Sequence, residues 1–341
     1  MSLDLPLIWA GLIATGVLLY VLLDGFDLGV GILFPFSRSK QDRDVMMNTV
    51  APVWDGNETW LVLGGGGLLA AFPLAYSIVM PAFYLPVILM LAGLILRGVA
   101  FEFRFRGQRR GRPFWTAMFA FGSILAAFSQ GLILGGFIQG IEVVDQRFAG
   151  GTFDWFTPYT LLVAAGLVCG YALLGAAWLM WKTADELHGD ARRWAVISGA
   201  LTALFLVGVS LSTLVVHPVV AERWGWTGGG LDLGRFLPLA WIPLVGLVGL
   251  GLVGWGVRRA SHGWPFVGAV LVFLSGYAGL AAGFFPYVAP YSVDFRAAAA
   301  PDNALGLMLV GTVVILPLIL AYTGWVYWVF RGKVTPEAGY H

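Results

Sequence analysis

The chain has 341 residues, of which 59% are hydrophobic and 11% charged, with 47 glycines besides. A soluble domain is about 45–50% apolar with glycine counted and about 25% charged, so an ordinary water-soluble globule is excluded. Its interior would be too small to hide these side chains, and the excess must face lipid. Twenty Lys and Arg against 19 Asp and Glu leave a net charge of +1, which provides no field to draw in nucleic acid.

The first six residues contain no Lys or Arg, and the apolar run after them far exceeds the ~7–15 residues of a signal-peptide core. It reads as a first membrane span. Runs of about 20 apolar residues bounded by charge, Gly or Pro predict nine spans. Their limits are 6–34, 52–72, 77–103, 114–139, 158–181, 194–216, 236–257, 264–286 and 304–330. The second and third are separated only by residues 73–76, which makes them a tight hairpin or leaves them slightly offset in depth. No loop is long enough for a second domain, so residues 1–341 read as a single integral-membrane domain. The longest loop, residues 216–235, carries the Gly228-Gly-Gly230 turn and two interfacial aromatics, Trp224 and Trp226. The single cysteine, Cys169, falls in an apolar run, cannot form an internal disulfide, and reads as a small buried hydrophobe.

Basic residues set the orientation. Fifteen of the 20 lie on one side: Arg38, Lys40, Arg43, Arg104, Arg106, Arg109, Arg110, Arg112, Lys182, Arg192, Arg193, Arg258, Arg259, Arg331 and Lys333. Arg147, Arg223, Arg235 and Arg296 lie on the other, and Arg97 falls within a span. The first side is the cytoplasm, which puts the N-terminus outside and the C-terminus inside and requires an odd number of spans.

The informative residues break the apolar pattern. A charge at mid-membrane costs about 2.5–3.5 kcal/mol even on lenient scales, so each should be paired, wet or functional. Leu23-Asp24-Gly25-Phe26-Asp27-Leu28-Gly29 places two carboxylates on one face of a helix turn. Asp24 lies ~27 Å into the first span, near the cytoplasmic boundary. The second span enters from the cytoplasm with Trp54-Asp55-Gly56-Asn57-Glu58, again two carboxylates three apart. The third delivers Arg97 and Glu102 at the same depth. One reading is a static ion-pair network; the other is a proton-uptake route through closely spaced acids, because Arg97 alone cannot neutralise five carboxylates. Gly25 and Gly29 form a small-residue packing face. The run Gly64-Gly-Gly-Gly67 reads as close helix packing rather than an unwound transporter segment.

Haem or metal inside a bundle needs inward His, Met or Cys. His188 and His262 fall in cytoplasmic loops, His217 at an outer helix end and His341 at the terminus, so no metal ligand is expected here. Met46 and Met47 read as packing. No Walker loop, dinucleotide fingerprint or nucleophile elbow occurs.

The strings Asp4-Leu-Pro-Leu-Ile-Trp9, Leu23 to Gly29, Met46-Met-Asn48, Ala51-Pro-Val-Trp-Asp-Gly-Asn-Glu-Thr-Trp60, Leu96-Arg-Gly-Val-Ala-Phe-Glu-Phe103 and Phe284-Phe-Pro-Tyr287 resemble subunit II of the cytochrome bd quinol oxidases, most closely the cyanide-insensitive branch. The resemblance covers the full length, with its specific motifs concentrated before Arg106. It implies an all-α, polytopic membrane protein of nine transmembrane helices, two four-helix bundles plus one peripheral helix, in the bacterial cytoplasmic membrane. It implies a partner, subunit I, that holds two b-type haems and one d-type haem, oxidises quinol and reduces O2. A small single-helix accessory subunit, membrane lipid and a structural quinone are further expected associations. The family's proton route passes through the Trp-Asp-Gly-Asn motif, which puts Asp55 first with Glu58 beside it. Asp24, Asp27 and Arg97 match other charged family positions, with Trp54, Asn57 and Glu102 as orienting neighbours. Some members carry Gln at the position of Glu58. The alternative from another class is a proton-coupled secondary transporter.

Overall fold

The computed structural model describes residues 3–106, 111–227 and 230–335, with only the backbone of residue 106. The topology-setting residues Arg109 and Arg110, the Arg106 side chain, most of the Gly228-Gly-Gly230 turn and His341 therefore lie outside the described residues.

Helix α1 (Leu5–Leu33) runs for 29 residues, its start capped by Asp4, whose carboxylate accepts from the Leu7 N–H at 3.3 Å. A short 3-10 turn leads to α2 (Lys40–Val50), opened by a reciprocal Ser39–Asp42 capping box. There follow α3 (Trp54–Glu58), α4 (Trp60–Ala71), α5 (Pro73–Ala82), α6 (Tyr84–Arg106) and α7 (Arg112–Gln139). The second half comprises α8 (Pro158–Lys182), α9 (Asp185–Val216), α10 (Pro218–Arg223), α11 (Leu233–Phe236), α12 (Trp241–Arg258), α13 (Trp264–Phe284) and α14 (Asp302–Val329).

Among the described residues, eight helices are long and apolar enough to cross a membrane. The difference from nine arises in residues 52–103. The expected second span is two short helices broken at Thr59, whose hydroxyl donates back to the Asp55 carbonyl at 2.8 Å. That back-bond bends helices, and Asp55, Gly56 and Asn57 are poor helix formers. The expected third span is broken at Phe83, between Pro81 inside α5 and Pro86 in the first turn of α6. Neither proline can donate to a carbonyl one turn back, so a single continuous helix is not available. Helix α9 begins at Asp185 rather than 194, because its first turns are charged and invisible to a hydropathy scan. Asp185 and Glu186 sit at its positive end.

Packing is pairwise and sequential: α6 lies on α7, α7 on α8, α8 on α9, and α12 on α13. Helix α1 crosses the middle, against α4, α7 and α8. Helix α14 touches α1 and buries only Leu305. Three two-stranded hairpins, Val143–Val144 with Arg147–Phe148, Trp226–Thr227 with Gly230–Leu231, and Tyr287–Ala289 with Val293–Asp294, follow α7, α10 and α13. They share the end of the bundle that holds Asp4, which pairs with Arg296 at 2.7 Å. At the opposite end the segment after α14 docks on α8, with the Val334 N–H donating to the Lys182 carbonyl at 2.8 Å.

Candidate functional site

The charged residues of α1, α3 and α6 meet in one place. Asp24 and Asp27 lie one turn apart on α1 and are 0% and 1% exposed; Arg97 on α6 is 2% exposed. The Arg97 guanidinium forks: Nη1 donates to Asp24 Oδ1 at 2.6 Å and Nη2 to Glu58 Oε2 at 3.0 Å. One side chain thereby ties α1 to the end of α3, a geometry that the planar guanidinium permits and a lysine does not. Asp27 is held differently. Its Oδ2 accepts from the Asn57 amide at 2.7 Å. The same Asn57 carbonyl oxygen accepts from the Tyr327 hydroxyl at 2.8 Å, which brings α14 into the cluster.

One guanidinium thus pairs with two of three neighbouring carboxyl groups, and burying surplus charge is costly. Among the described residues, Asp24 Oδ2, Asp27 Oδ1 and Arg97 Nε are buried without a hydrogen-bond partner. Beside Asp27 and Arg97 lies a cavity of about 10 Å3, bounded by them and by Trp54, Phe101, Val50 and Phe119. That is about the space of one water molecule. Trp54 stacks on Phe101 with centroids 5.1 Å apart, forming one wall.

Two of the expected residues stand apart from this centre. Asp55 is exposed on the outer side of α3, and Glu102, one turn beyond Gly98 on α6, is within its electrostatic reach. The six charged groups therefore form an inner set and an outer pair rather than one cluster at a single radius. Gly25 and Gly29 sit on the face of α1 that meets α8. A β-carbon on Gly29 would come within 2.7 Å of the Gly175 nitrogen, and one on Gly25 within 2.8 Å of the Tyr171 ring. The glycine run of α4 is helical throughout. Gly64 and Gly67 meet Val17 and Ile13 of α1, while Gly65 and Gly66 face open space.

Several participants were not singled out from sequence. Tyr327 is one of four hydroxyl-bearing residues in the apolar α14, with Thr312, Tyr322 and Thr323, and has no spacing signal to mark it. One turn from Asp24, Tyr20 begins a chain in which the Gln130 amide donates to the Tyr20 hydroxyl and the Tyr171 hydroxyl donates to Gln130 Oε1, each at 2.7 Å. Arg104, counted above with the basic loop, is buried. It pairs with Asp44 at 2.7 Å and lies over the Phe34 ring. His188 and His262 pack ring against ring beside the Met180 carbonyl. His217 stacks on Tyr291 at 3.6 Å, and partial burial holds its imidazole below the ordinary value.

A lipid-facing helical bundle that keeps an ion-paired carboxyl cluster inside its first helices is an integral membrane protein equipped to hold charge away from solvent. The chain belongs to the cytochrome bd terminal oxidase subunit II family, whose model matches residues 5–330. It is 31% identical to cytochrome bd-I ubiquinol oxidase subunit 2 of Escherichia coli K12, over 98% of this chain and 96% of that one. It is 28% identical to cytochrome bd ubiquinol oxidase subunit 2 of Bacillus subtilis, over 96% of each. Its fold matches a chain of the bd oxidase of Geobacillus thermodenitrificans with a TM-score of 0.72 at 15% identity, covering 96% of this chain and 99% of the other.

Proposed function

We propose that this chain is the second subunit of a bacterial respiratory quinol oxidase, supporting a haem-bearing subunit I and carrying protons toward it from the cytoplasm. The partner's two b-type haems and one d-type haem supply the electron transfer from quinol and the reduction of O2 to water; this chain's residues supply structure and proton movement. The family membership supports the first part. The second rests on one observation: Arg97 bridges Asp24 and Glu58 while Asp27 lies beside them, bonded to a neutral amide.

The route begins at exposed Asp55, which with Glu102 collects protons at the basic, cytoplasmic end. Glu58, half-buried between Asp55 and Arg97, passes them inward. Asp27, which lines the one-water cavity and whose Oδ1 has no partner among the described residues, receives them, while Asn57, itself held by Tyr327, fixes its other oxygen. Arg97 stays charged throughout and sets how many carboxylates the cluster holds ionised. We count α3 and α4 as the second of nine crossings: their combined rise, at about 1.5 Å per residue, approaches the ~30 Å core. The N-terminus then lies outside and the C-terminus in the cytoplasm.

Purification of the tagged chain, followed by a reduced-minus-oxidised spectrum, tests this reading. Co-purification with a haem-bearing partner and quinol-dependent O2 uptake are expected. A colourless, partner-free protein that moves solute would establish the transporter alternative instead.

A further inference from the structure

At the cytoplasmic end, away from the carboxyl cluster, a crevice of about 550 Å3 opens between the start of α9 and the end of α12. That volume is in the range of small-molecule sites. Four arginines line it: Arg38, Arg192, Arg193 and Arg258. Among the described residues, two acids line it and do not balance them. Asp190 is buried and already paired with Arg38 at 2.5 Å, which leaves Glu186 alone against three exposed guanidiniums. The floor is apolar, formed by Val196 and Val257. From that floor a stripe of exposed aliphatic residues, Ile197, Leu201 and Leu204, descends one face of α9 toward the membrane interior.

We infer that this crevice binds the headgroup of an anionic phospholipid of the cytoplasmic leaflet, with an acyl chain laid along the α9 stripe. The guanidiniums match the geometry of a phosphodiester, which accepts paired N–H donors. The position matches the ligand: basic pockets at the cytoplasmic ends of transmembrane helices recognise anionic headgroups. A free phosphate would use the arginines but not the adjoining apolar stripe, and that stripe decides between the two sources.

The test uses the purified oxidase complex, depleted of lipid in detergent. A photoactivatable phosphatidylglycerol is expected to label residues 186–204 and 254–258, at about tenfold or greater yield than the phosphatidylcholine analogue. Arg192→Gln with Arg258→Gln should remove that preference. Val196→Trp, which fills the crevice without changing charge, should lower labelling by both lipids. Equal labelling by the two lipids in the wild-type complex would overturn the proposal, as would labelling confined to other segments or full labelling of both variants. Displacement of the lipid by millimolar inorganic phosphate would overturn it in favour of a free-anion site. Crosslinking of Arg193→Cys to another polypeptide would assign the crevice to a protein partner. The wild-type comparison stands by itself if either variant fails to assemble.

Discussion

The Tyr327 hydroxyl donates to Asn57 Oδ1 at 2.8 Å, joining residues 270 apart in the chain. Because the Asn57 amide donates to Asp27, the bond also orients the neutral partner of a buried carboxyl. Tyr327→Phe removes the hydroxyl and leaves Asn57 Oδ1 unsatisfied, at a cost of about 1–3 kcal/mol. The expected result is a complex that assembles with normal haem content but a lowered Tm. An unchanged Tm would mean that the bond does not hold α14 to the cluster.

Arg97 holds Asp24 and Glu58 on one fork. Arg97→Ala leaves buried carboxyls without their cation and should cost about 3–5 kcal/mol, enough to abolish accumulation of the complex. Arg97→Lys preserves charge but offers a single ammonium, so it should accumulate at reduced yield. Combining Arg97→Ala with Asp24→Asn should restore part of the yield, because the stranded charge goes with its partner. Haem absorbance per unit membrane protein reads all three.

Glycines that look alike in sequence differ in what surrounds them. Gly29→Ala drives a methyl into the α8 backbone at Tyr171 and Gly175, and overpacking of this kind costs about 1–3 kcal/mol or more. Gly65→Ala meets nothing within 4 Å and sits in a helix, where alanine is favoured by about 0.5–1 kcal/mol. Half-times of thermal inactivation should shorten for the first and hold or lengthen for the second.

His217, at the C-terminal end of α9, is held below its ordinary value of 6.5 by partial burial against Tyr291. A depressed folded value means that the unfolded chain takes the proton first as pH falls. The stability that neutral His217 contributes is complete above pH 6.5 and is lost as pH falls through the folded value. His217→Gln should therefore shrink the fall in Tm between pH 7 and pH 5. A wild-type and variant pair with parallel profiles over that range would remove His217 from the account.

The apolar runs and the paired acids were legible in sequence because hydropathy and three-residue spacing are local signals. Asp24, Asp27 and Arg97 stood out as charge where lipid allows little, and the structure brings them together. The breaks at Thr59 and Phe83 were not legible, since window averaging passes over one back-bonding hydroxyl or two prolines in an apolar run. The split between the inner set and the Asp55–Glu102 pair depends on rotation about α3 and α6, which spacing alone does not set. In sequence Arg104 is indistinguishable from the loop charges beside it, because its partner, Asp44, lies in another polar segment and only tertiary packing joins the two. Tyr327 was invisible for a similar reason: a tyrosine in an apolar helix acquires meaning only from what it reaches.

In the proposed route, protons enter through Asp55 and reach Asp27 past Glu58. Turnover of the purified Asp55→Asn complex, measured as quinol-dependent O2 uptake from pH 6 to 9, tests it most directly, because asparagine keeps the shape and removes the titratable group. The account predicts normal haem content with turnover reduced about tenfold or more, most severely at high pH where protons are scarce. Wild-type turnover at every pH, with wild-type haem content, would contradict it.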